Sequence, residues 1–374
     1  MPHKEKRVMN KVAITKCGKY EYELIKKAVG LLADNSDFPD VKGKTVLVKP
    51  NILSDSKMEK NITTNPLVVK AVIELLKEKG AERVWCGDSP GLPGPKFKGE
   101  GCGIWSVVQE TGAEWVDFFD GAKETVFWNG VKAPQCRFVS EADIVVSVSK
   151  MKTHQLMYAT GAVKNMFGTI PGLNKSPMHL YARSPENFAK LILSIYGTHK
   201  PEWSVMDGII SMEGAGPANG TLRQTGLLLA SSSALALDRA EAVIMGYDPK
   251  DIPILSEAEK EEKGSTDASY PLLSAEEVAI PDFRRVEVKK RGIVNSLLLP
   301  FLTRFFDKKM AERRKAPEFI KEKCRKCRKC VDICPAKALR LDTDHIAIDT
   351  SKCIRCYCCH EMCPFDAIEI EKPN

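Results

Sequence analysis

Eight cysteines near the C-terminus constrain this chain more than any other feature. Cys324, Cys327, Cys330 and Cys334 precede Pro335, and 29 positions later Cys353, Cys356, Cys359 and Cys363 precede Pro364. Each run reads C-x2-C-x2-C-x3-C-P. Three closely spaced thiolates can cap three irons of one cubane, and the fourth cysteine, turned away by its proline, reaches the other cubane. The spacing therefore predicts two 4Fe-4S clusters, one on Cys324, Cys327, Cys330 and Cys363, the other on Cys353, Cys356, Cys359 and Cys334. Paired zinc sites are the competing reading; they usually leave a longer gap between C-x2-C halves and do not interleave a fourth cysteine. Cys358, inside the second run, reads as a non-ligand, with exchange for Cys359 left open.

From residue 317 onward the sequence resembles a bacterial-type two-cluster ferredoxin, and the resemblance implies one-electron transfer at low potential. The formal charge of +7 falls to about +3 if each oxidised cubane with its four thiolates carries about −2. Lys321, Lys323, Arg325, Lys326, Arg328 and Lys329 crowd the first run, where they offset cluster charge and favour the reduced state. A freely diffusing ferredoxin is usually acidic, and this module is not. That favours an internal wire over a shuttle.

A chain of 374 residues has room for two or three domains, and the part ahead of the cysteines can bury a full core. Its 28% charged and 43% hydrophobic residues are ordinary for a globular protein. Cys17, Cys86, Cys102, Cys136 and Cys358 are left over without paired spacing, so no disulfide framework is expected. Thiolate clusters need a reducing compartment. Residues 1–10 are polar and basic and read as a flexible N-terminus without signal-peptide character. No run approaches the roughly 20 apolar residues of a membrane span. The expected setting is the cytoplasm.

Over residues 11–285, short β-branched runs alternate with helical periodicity. This pattern predicts an α/β domain with a doubly wound, mostly parallel sheet, followed by a small α+β ferredoxin-like domain at 317–374. Strands are expected at 12–15, 45–48, 82–86, 144–148, 203–206 and 227–230, and helices at 22–32, 66–79, 104–111, 185–196 and 235–245. Residues 256–274 read as an exposed acidic loop.

In such sheets ligands gather beyond the carboxyl ends of the strands. Four loops there are expected to hold unusual polar residues: Lys49 and Asn51; Asp88 and Ser89; Lys150, Lys152 and His154; and Asp207 with Glu213. Their convergence predicts one site. The segment GAVKNMFGTIPG at 161–172 sets glycines and a proline around Lys164 and Asn165. That composition suggests a backbone held close to a ligand, with the lysine aimed at an anion. A turn-rich connection with a surface lysine is the alternative.

Taken as a set, KPN at 49–51, GDSPG at 87–91, KMKTH at 150–154, GAVKNMFG at 161–168 and MEGAGP at 212–217 resemble the domain-of-unknown-function family 362. Some members of that family carry a C-terminal two-cluster ferredoxin module. The resemblance implies an iron-sulfur protein and leaves the reaction to be read from the residues. Lys49, Lys152 and Lys164 would make a positive crevice for a carboxylate, phosphate or thioester-bearing cofactor. Asp88, Asp207 and Glu213 would face it, as candidates for proton transfer or a divalent metal. His154 and His179 are candidate proton donors near neutral pH, each weighed against a structural, hydrogen-bonded role. The expected catalytic set is His154, Lys164, His179 and Asp207; the expected substrate-binding set is Lys49, Asn51, Asp88, Ser89, Lys152, Asn165 and Glu213.

Several chemistries lack their signatures. There is no G-x4-G-K-[ST] phosphate loop. Gly214, Gly216 and Gly220 miss the dinucleotide-binding spacing and come too late in the chain. No C-x3-C-x2-C run is free for a radical S-adenosylmethionine cluster, no residue pattern supports a flavin, and no nucleic-acid partner is expected.

Residues 286–316 change character: an apolar run around Pro300 is flanked by Lys289, Lys290 and Arg291 and by Arg313, Arg314 and Lys315. Such a segment can lie on an anionic membrane surface. A helix pair that packs the ferredoxin domain on the main domain is the favoured reading. Two function classes follow. One is a reductase in which electrons from a redox protein cross the clusters to an anionic small molecule or cofactor in the crevice. The other is a non-enzymatic electron carrier or docking component for another oxidoreductase. A convergent crevice favours the first, a flat or filled strand-end face the second.

Overall fold

The computed structural model describes residues 9–93, 97–261, 264–287, 314–343 and 345–370. Residues 1–8 and 288–313 lie outside the described residues, and with them most of the expected N-terminal segment and the basic, apolar segment read as a membrane or packing element.

The chain opens with β1 (Asn10–Lys16), α1 (Tyr22–Asp34), β2 (Thr45–Pro50), α2 (Pro66–Glu78), β3 (Arg83–Cys86), α3 (Ile104–Thr111) and β4 (Glu114–Trp115). A hairpin, β5 (Lys123–Val126) and β6 (Lys132–Gln135), and α4 (Phe138–Glu141) lead into β7 (Ile144–His154). Then come β8 (Tyr158–Ala159), α5 (Gly161–Asn165), α6 (Lys175–Tyr181), α7 (Pro185–Thr198), β9 (Trp203–Glu213), β10 (Thr221–Ser231), α8 (Ala234–Ile244), α9 (Pro253–Lys260) and β11 (Ala268–Ser269). The longer helices start where capping chemistry dictates. Asn65 accepts from Leu67 N ahead of Pro66, Ser184 from Asn187 N ahead of Pro185, and Ser233 from Ala236 N.

One sheet runs β11-β1-β10-β9-β7-β2-β3-β4, with β8 paired to β7. Strands β9, β7, β2, β3 and β4 are mutually parallel, and β10 is the antiparallel insert between β9 and β1. Side chains alternate between two cores. Ala13, Val46, Val48, Val146 and Val148 face α1, α2 and α3; Val12, Ile14, Leu47, Val145 and Met206 face α5, α7, α8 and α9. Helices thus cover both faces, the doubly wound arrangement that the alternating pattern predicts.

Three expectations need correction. First, β7 and β9 each run 11 residues, so Lys150, Lys152, His154 and Asp207 lie inside strands rather than in loops after them. A buried strand tolerates such charges when they are paired: Lys150 Nζ lies 2.8 Å from Asp207 Oδ2 across β7 and β9, both side chains fully buried. Second, the segment 161–172 is helical and mostly buried, with α5 continuing into a 3-10 turn at Met166–Thr169. Asp238 of α8 caps α5, accepting from Ala162 N at 2.5 Å and Val163 N at 3.1 Å. Third, part of the expected acidic loop is α9, which buries Ile254, Leu255 and Ala258 behind Pro253.

The tail folds as two copies of one unit. Each copy has a short helix, Lys329–Ile333 or Cys358–Glu361, and a shared core gathers Cys330, Leu339, Ile346, Cys359, Cys363, Ala367 and Ile368. Lys326, Arg328 and Lys337 adopt left-handed backbone (φ 52, 65 and 49°), as do Arg355, Tyr357 and Asp366 (φ 53, 66 and 51°), which stand 29 positions later. Non-glycine residues rarely pay that conformational cost without a reason; here it curls each cysteine loop inward. Ala338 N donates to Cys334 Sγ at 3.3 Å and Ala367 N to Cys363 Sγ at 3.4 Å, again one repeat apart.

Candidate functional site

The cysteines surround two separate hollows. Cys324, Cys327, Cys330 and Cys363 line one, and Cys334, Cys353, Cys356 and Cys359, with Cys358 beside them, line the other. These are the two interleaved sets that the spacing predicts. Among the described residues no three His, Cys, Asp or Glu side chains converge tightly enough to hold a single ion.

A third hollow is the crevice at the strand ends, and the tail forms its roof. Lys49, Asn51, Asp88 and Ser89 come from the β2 and β3 ends, His154 from the end of β7, and Lys164 and Asn165 from α5. Lys175 and His179 come from α6, while Ile333, Cys358, Glu361 and Met362 come from the tail. Cys358 lines both this crevice and the second cysteine hollow. The roof is held by Ser176 Oγ donating to Ile333 O (2.6 Å), Asn219 Nδ2 donating to His360 O (3.1 Å) and Lys60 Nζ donating to Pro364 O (3.1 Å). His360 Nε2 also lies 3.0 Å from Ala215 O, so the MEGAGP loop serves as a seat for the tail.

Charges in the crevice are unequal. Lys49 Nζ is saturated by Asp88 Oδ1 (2.8 Å), Pro50 O (3.0 Å) and Asn165 Oδ1 (3.1 Å), and burial lowers its pKa despite Asp88. Asp88 in turn accepts from Ile52 N at 2.6 Å and Ser89 N at 2.8 Å. This buried unit leaves no room at Gly168, where a Cβ would overlap Asp88 Oδ1 and come within 2.6 Å of Lys49 Nζ. Lys164 has no hydrogen bond or salt bridge to a described residue, and burial lowers its pKa against the pull of Glu361 and Cys358. Lys175 donates to Ser89 O at 2.5 Å, and burial lowers its pKa to about 7. Lys164 and Lys175 are thus the cations available to a ligand.

Both histidines are deeply buried. His154 Nδ1 accepts from Leu156 N (3.1 Å) and Met157 N (3.2 Å), which puts the ring proton on Nε2. Nε2 faces Glu361 Oε1 at 3.0 Å without the alignment of a hydrogen bond. Burial lowers the His154 pKa to about 4, with Lys164 adding to it, so at neutral pH a neutral ring meets a carboxylate. Burial pushes the Glu361 carboxyl up, but His154 and Lys164 outweigh it and hold it at about 2. His179 stacks on Phe188 at 4.2 Å, its pKa lowered to about 3 by burial, and its Nδ1 has no hydrogen-bond partner. Asn51 Oδ1 is likewise unsatisfied. Unpartnered buried polar atoms on one cavity wall are the sort that a ligand satisfies.

Of the residues expected to meet, Lys49, Asn51, Asp88, Ser89, His154, Lys164, Asn165 and His179 do line the crevice. Lys152, Asp207 and Glu213 do not. Lys152 donates to Ile62 O at 2.6 Å. Asp207 is taken up by Lys150 and by Tyr20, whose hydroxyl donates to it at 3.0 Å. Glu213 accepts from Arg284 N and Nε at 3.1 and 2.8 Å. Lys152 is spent on the connection between β2 and α2, and Asp207 and Glu213 on holding β9 and its loop, so three of the four expected loops converge. Lys175, Cys358, Glu361 and Met362 were not anticipated. Only the paired spacing of the tail and its missing acidity hinted that it docks.

A family model described as domain of unknown function (DUF362) matches residues 46–242, and a 4Fe-4S dicluster domain model matches residues 323–367. The thylakoid-associated protein sll1697 of Synechocystis sp. is 32% identical over 251 residues, covering 66% of this chain and 77% of that protein. The lactate racemase apoprotein of Thermoanaerobacterium thermosaccharolyticum aligns with a TM-score of 0.44 at 12% identity, over 64% of this chain and 58% of its own. A Thermotoga maritima protein aligns with a TM-score of 0.36 at 14% identity, over 53% and 52%. The chain thus spans little more than half of each of those two structures. No helix among the described residues is long and apolar enough to cross a membrane. The ferredoxin-type domain carries an iron-sulfur electron-transfer role. By the span of the first model and the identity to the Synechocystis protein, the chain belongs to the DUF362 family, with a 4Fe-4S ferredoxin-type domain at its C-terminus.

Proposed function

We propose that the chain is an iron-sulfur reductase that delivers electrons to an anionic small molecule or cofactor in the crevice beneath its ferredoxin-type domain. Two 4Fe-4S clusters are assigned, the first to Cys324, Cys327, Cys330 and Cys363, the second to Cys353, Cys356, Cys359 and Cys334. When bound, they supply single electrons at low potential. The observation that carries the reading is the shared wall at Cys358, which borders both the second cysteine hollow and the crevice. An acceptor in the crevice would lie next to the second cluster.

The residues divide the work. Lys164 and Lys175 attract a carboxylate or phosphate, and the surrounding burial strengthens that attraction. His154 Nε2–H is placed to donate a hydrogen bond, with the backbone N–H groups of Leu156 and Met157 fixing the ring. Lys49, Asp88 and Asn165 form the rigid floor, a supporting role rather than the anion contact expected of Lys49. The tail covers the crevice from above. A carrier that only passes electrons to another protein has no use for such a lined crevice.

The test is mass spectrometry of the supernatant from anaerobically purified, denatured full chain. A carboxylate- or phosphate-bearing molecule is expected from wild type and not from Lys164→Ala, with its reduced form appearing after dithionite is added. A wild-type protein that releases no such molecule, and whose Lys164→Ala variant reoxidises at the wild-type rate, contradicts the proposal.

A further inference from the structure

The two cysteine hollows differ in what surrounds them. Around the first, residues 321–330 hold six basic side chains and one acidic one, Glu322, for a net +5, whereas the equivalent residues 350–359 hold only Lys352 and Arg355, for +2. All six basic residues are exposed, and Cys327 among them is exposed as well. Arg325, Lys326, Arg328 and Lys329 themselves wall the hollow, beside exposed Phe365. The second hollow is walled mainly by Pro317, Pro335, Ala336, Ala338, Leu339 and Ile354 and borders the crevice.

Part of the collar is compensated. Lys323 lies 3.5 Å from Asp366 and 3.8 Å from Glu369, and Arg328 lies 3.9 Å from Asp332, all as surface pairs of little strength. Lys326 donates to Thr343 O at 3.0 Å. Arg325 and Lys329 have no ion pair or hydrogen bond among the described residues. Their charge is available to a partner.

We infer that this basic collar is the docking surface for an acidic one-electron carrier protein, and that electrons come in at the first hollow. The inference rests on the reading of the tail as a two-cluster conduit and adds its outward-facing end. A single electron would leave the reduced carrier for the cluster that Cys324, Cys327, Cys330 and Cys363 would hold; no proton or group moves with it. Opposite charge brings the carrier in quickly and orients it, which raises the association rate more than the final affinity. The exposed thiol edge and Phe365 let the two redox centres approach without any domain motion. The second half, closed in by apolar residues and the crevice, offers no comparable landing area.

The test is stopped-flow reduction of the anaerobic, cluster-loaded full chain by a photoreduced acidic ferredoxin, followed by the visible absorbance of the tail. The Arg325→Glu, Lys329→Glu double variant is expected to slow the bimolecular step at low salt at least about tenfold and to flatten its dependence on ionic strength. Reduction by the small cationic methyl viologen radical should not slow. Lys27→Glu with Lys42→Glu, an equal change of net charge at exposed sites away from the tail, sets the control. If charge reversal strips iron, Arg325→Gln with Lys329→Gln is measured instead. A rate that falls no further than in the control overturns the docking surface alone. A chain that takes up no electrons even from dithionite overturns the conduit reading beneath it.

Discussion

Lys326 and Arg328 share their left-handed backbone with Arg355 and Tyr357, yet the first pair is exposed whereas Tyr357 is buried, its hydroxyl donating to Lys315 O at 3.0 Å. The two halves of the tail are one backbone unit used twice. What separates them is the side chains between the thiols: arginine and lysine where the unit faces solvent, and Ile354, Tyr357 and Cys358 where it faces the body. The repeat holds cysteines; the intervening residues decide whether a half meets solvent or the body of the chain.

Substitutions in the second half should separate these roles most sharply. Cys356→Ser is expected to lower iron by about half, the share of one of two cubanes, and to stop reduction of the crevice molecule. Cys358→Ser, two positions on, should keep iron at the wild-type level. Chemical iron analysis with a single-turnover reoxidation assay distinguishes them, and iron loss in Cys358→Ser would make that thiol a ligand.

Breaking the crevice floor comes next. Asp88→Asn leaves Lys49 buried without its partner, and denaturant unfolding should show a loss of about 3–5 kcal/mol. Electron uptake at the first half by methyl viologen should persist in native conditions. An unchanged midpoint would mean the pair is not buried as described.

The crevice should also respond to acid. His154 and His179 face the crevice, and burial lowers their pKa values to about 4 and about 3. Between those values and roughly 6.5 the unfolded chain binds more protons than the folded one, so stability rises with pH. It is fully present above about 6.5 and is lost as pH falls toward 4 and then 3. Urea midpoints at pH 7 and pH 5 test this; His179→Phe should narrow the difference between them.

The smallest effect concerns the roof. Glu361→Gln removes the carboxylate nearest Lys164 and His154, so affinity for the crevice anion should rise by about threefold to tenfold, the scale of one weak ion pair. Equilibrium dialysis of the molecule identified by mass spectrometry reads this, and weaker binding would assign Glu361 to the ligand instead.

How much of this was legible depended on range. The cysteine repeat could be read because its spacing is local, and β2, β7 and β9 begin where their β-branched runs begin, whereas β10 starts at Thr221, six residues ahead of the expected run. The strand ends could not be read, because Lys150 is buried only by virtue of Asp207, 57 residues away. The same rule misplaced Asp207 and Lys152 in a binding loop. Glu361 and Cys358 looked like tail residues, and only the docking of the tail over β7 and α6 brings them to His154 and Lys164. GAVKNMFG brings Lys164 to the crevice wall, but its glycines serve packing: Gly168 leaves space for the Lys49–Asp88 pair.

Iron and acid-labile sulfide, counted per chain on the anaerobically prepared full-length protein, test the central claim most directly. About eight of each is the predicted result, matching two cubanes. A protein with zinc and no sulfide would contradict it.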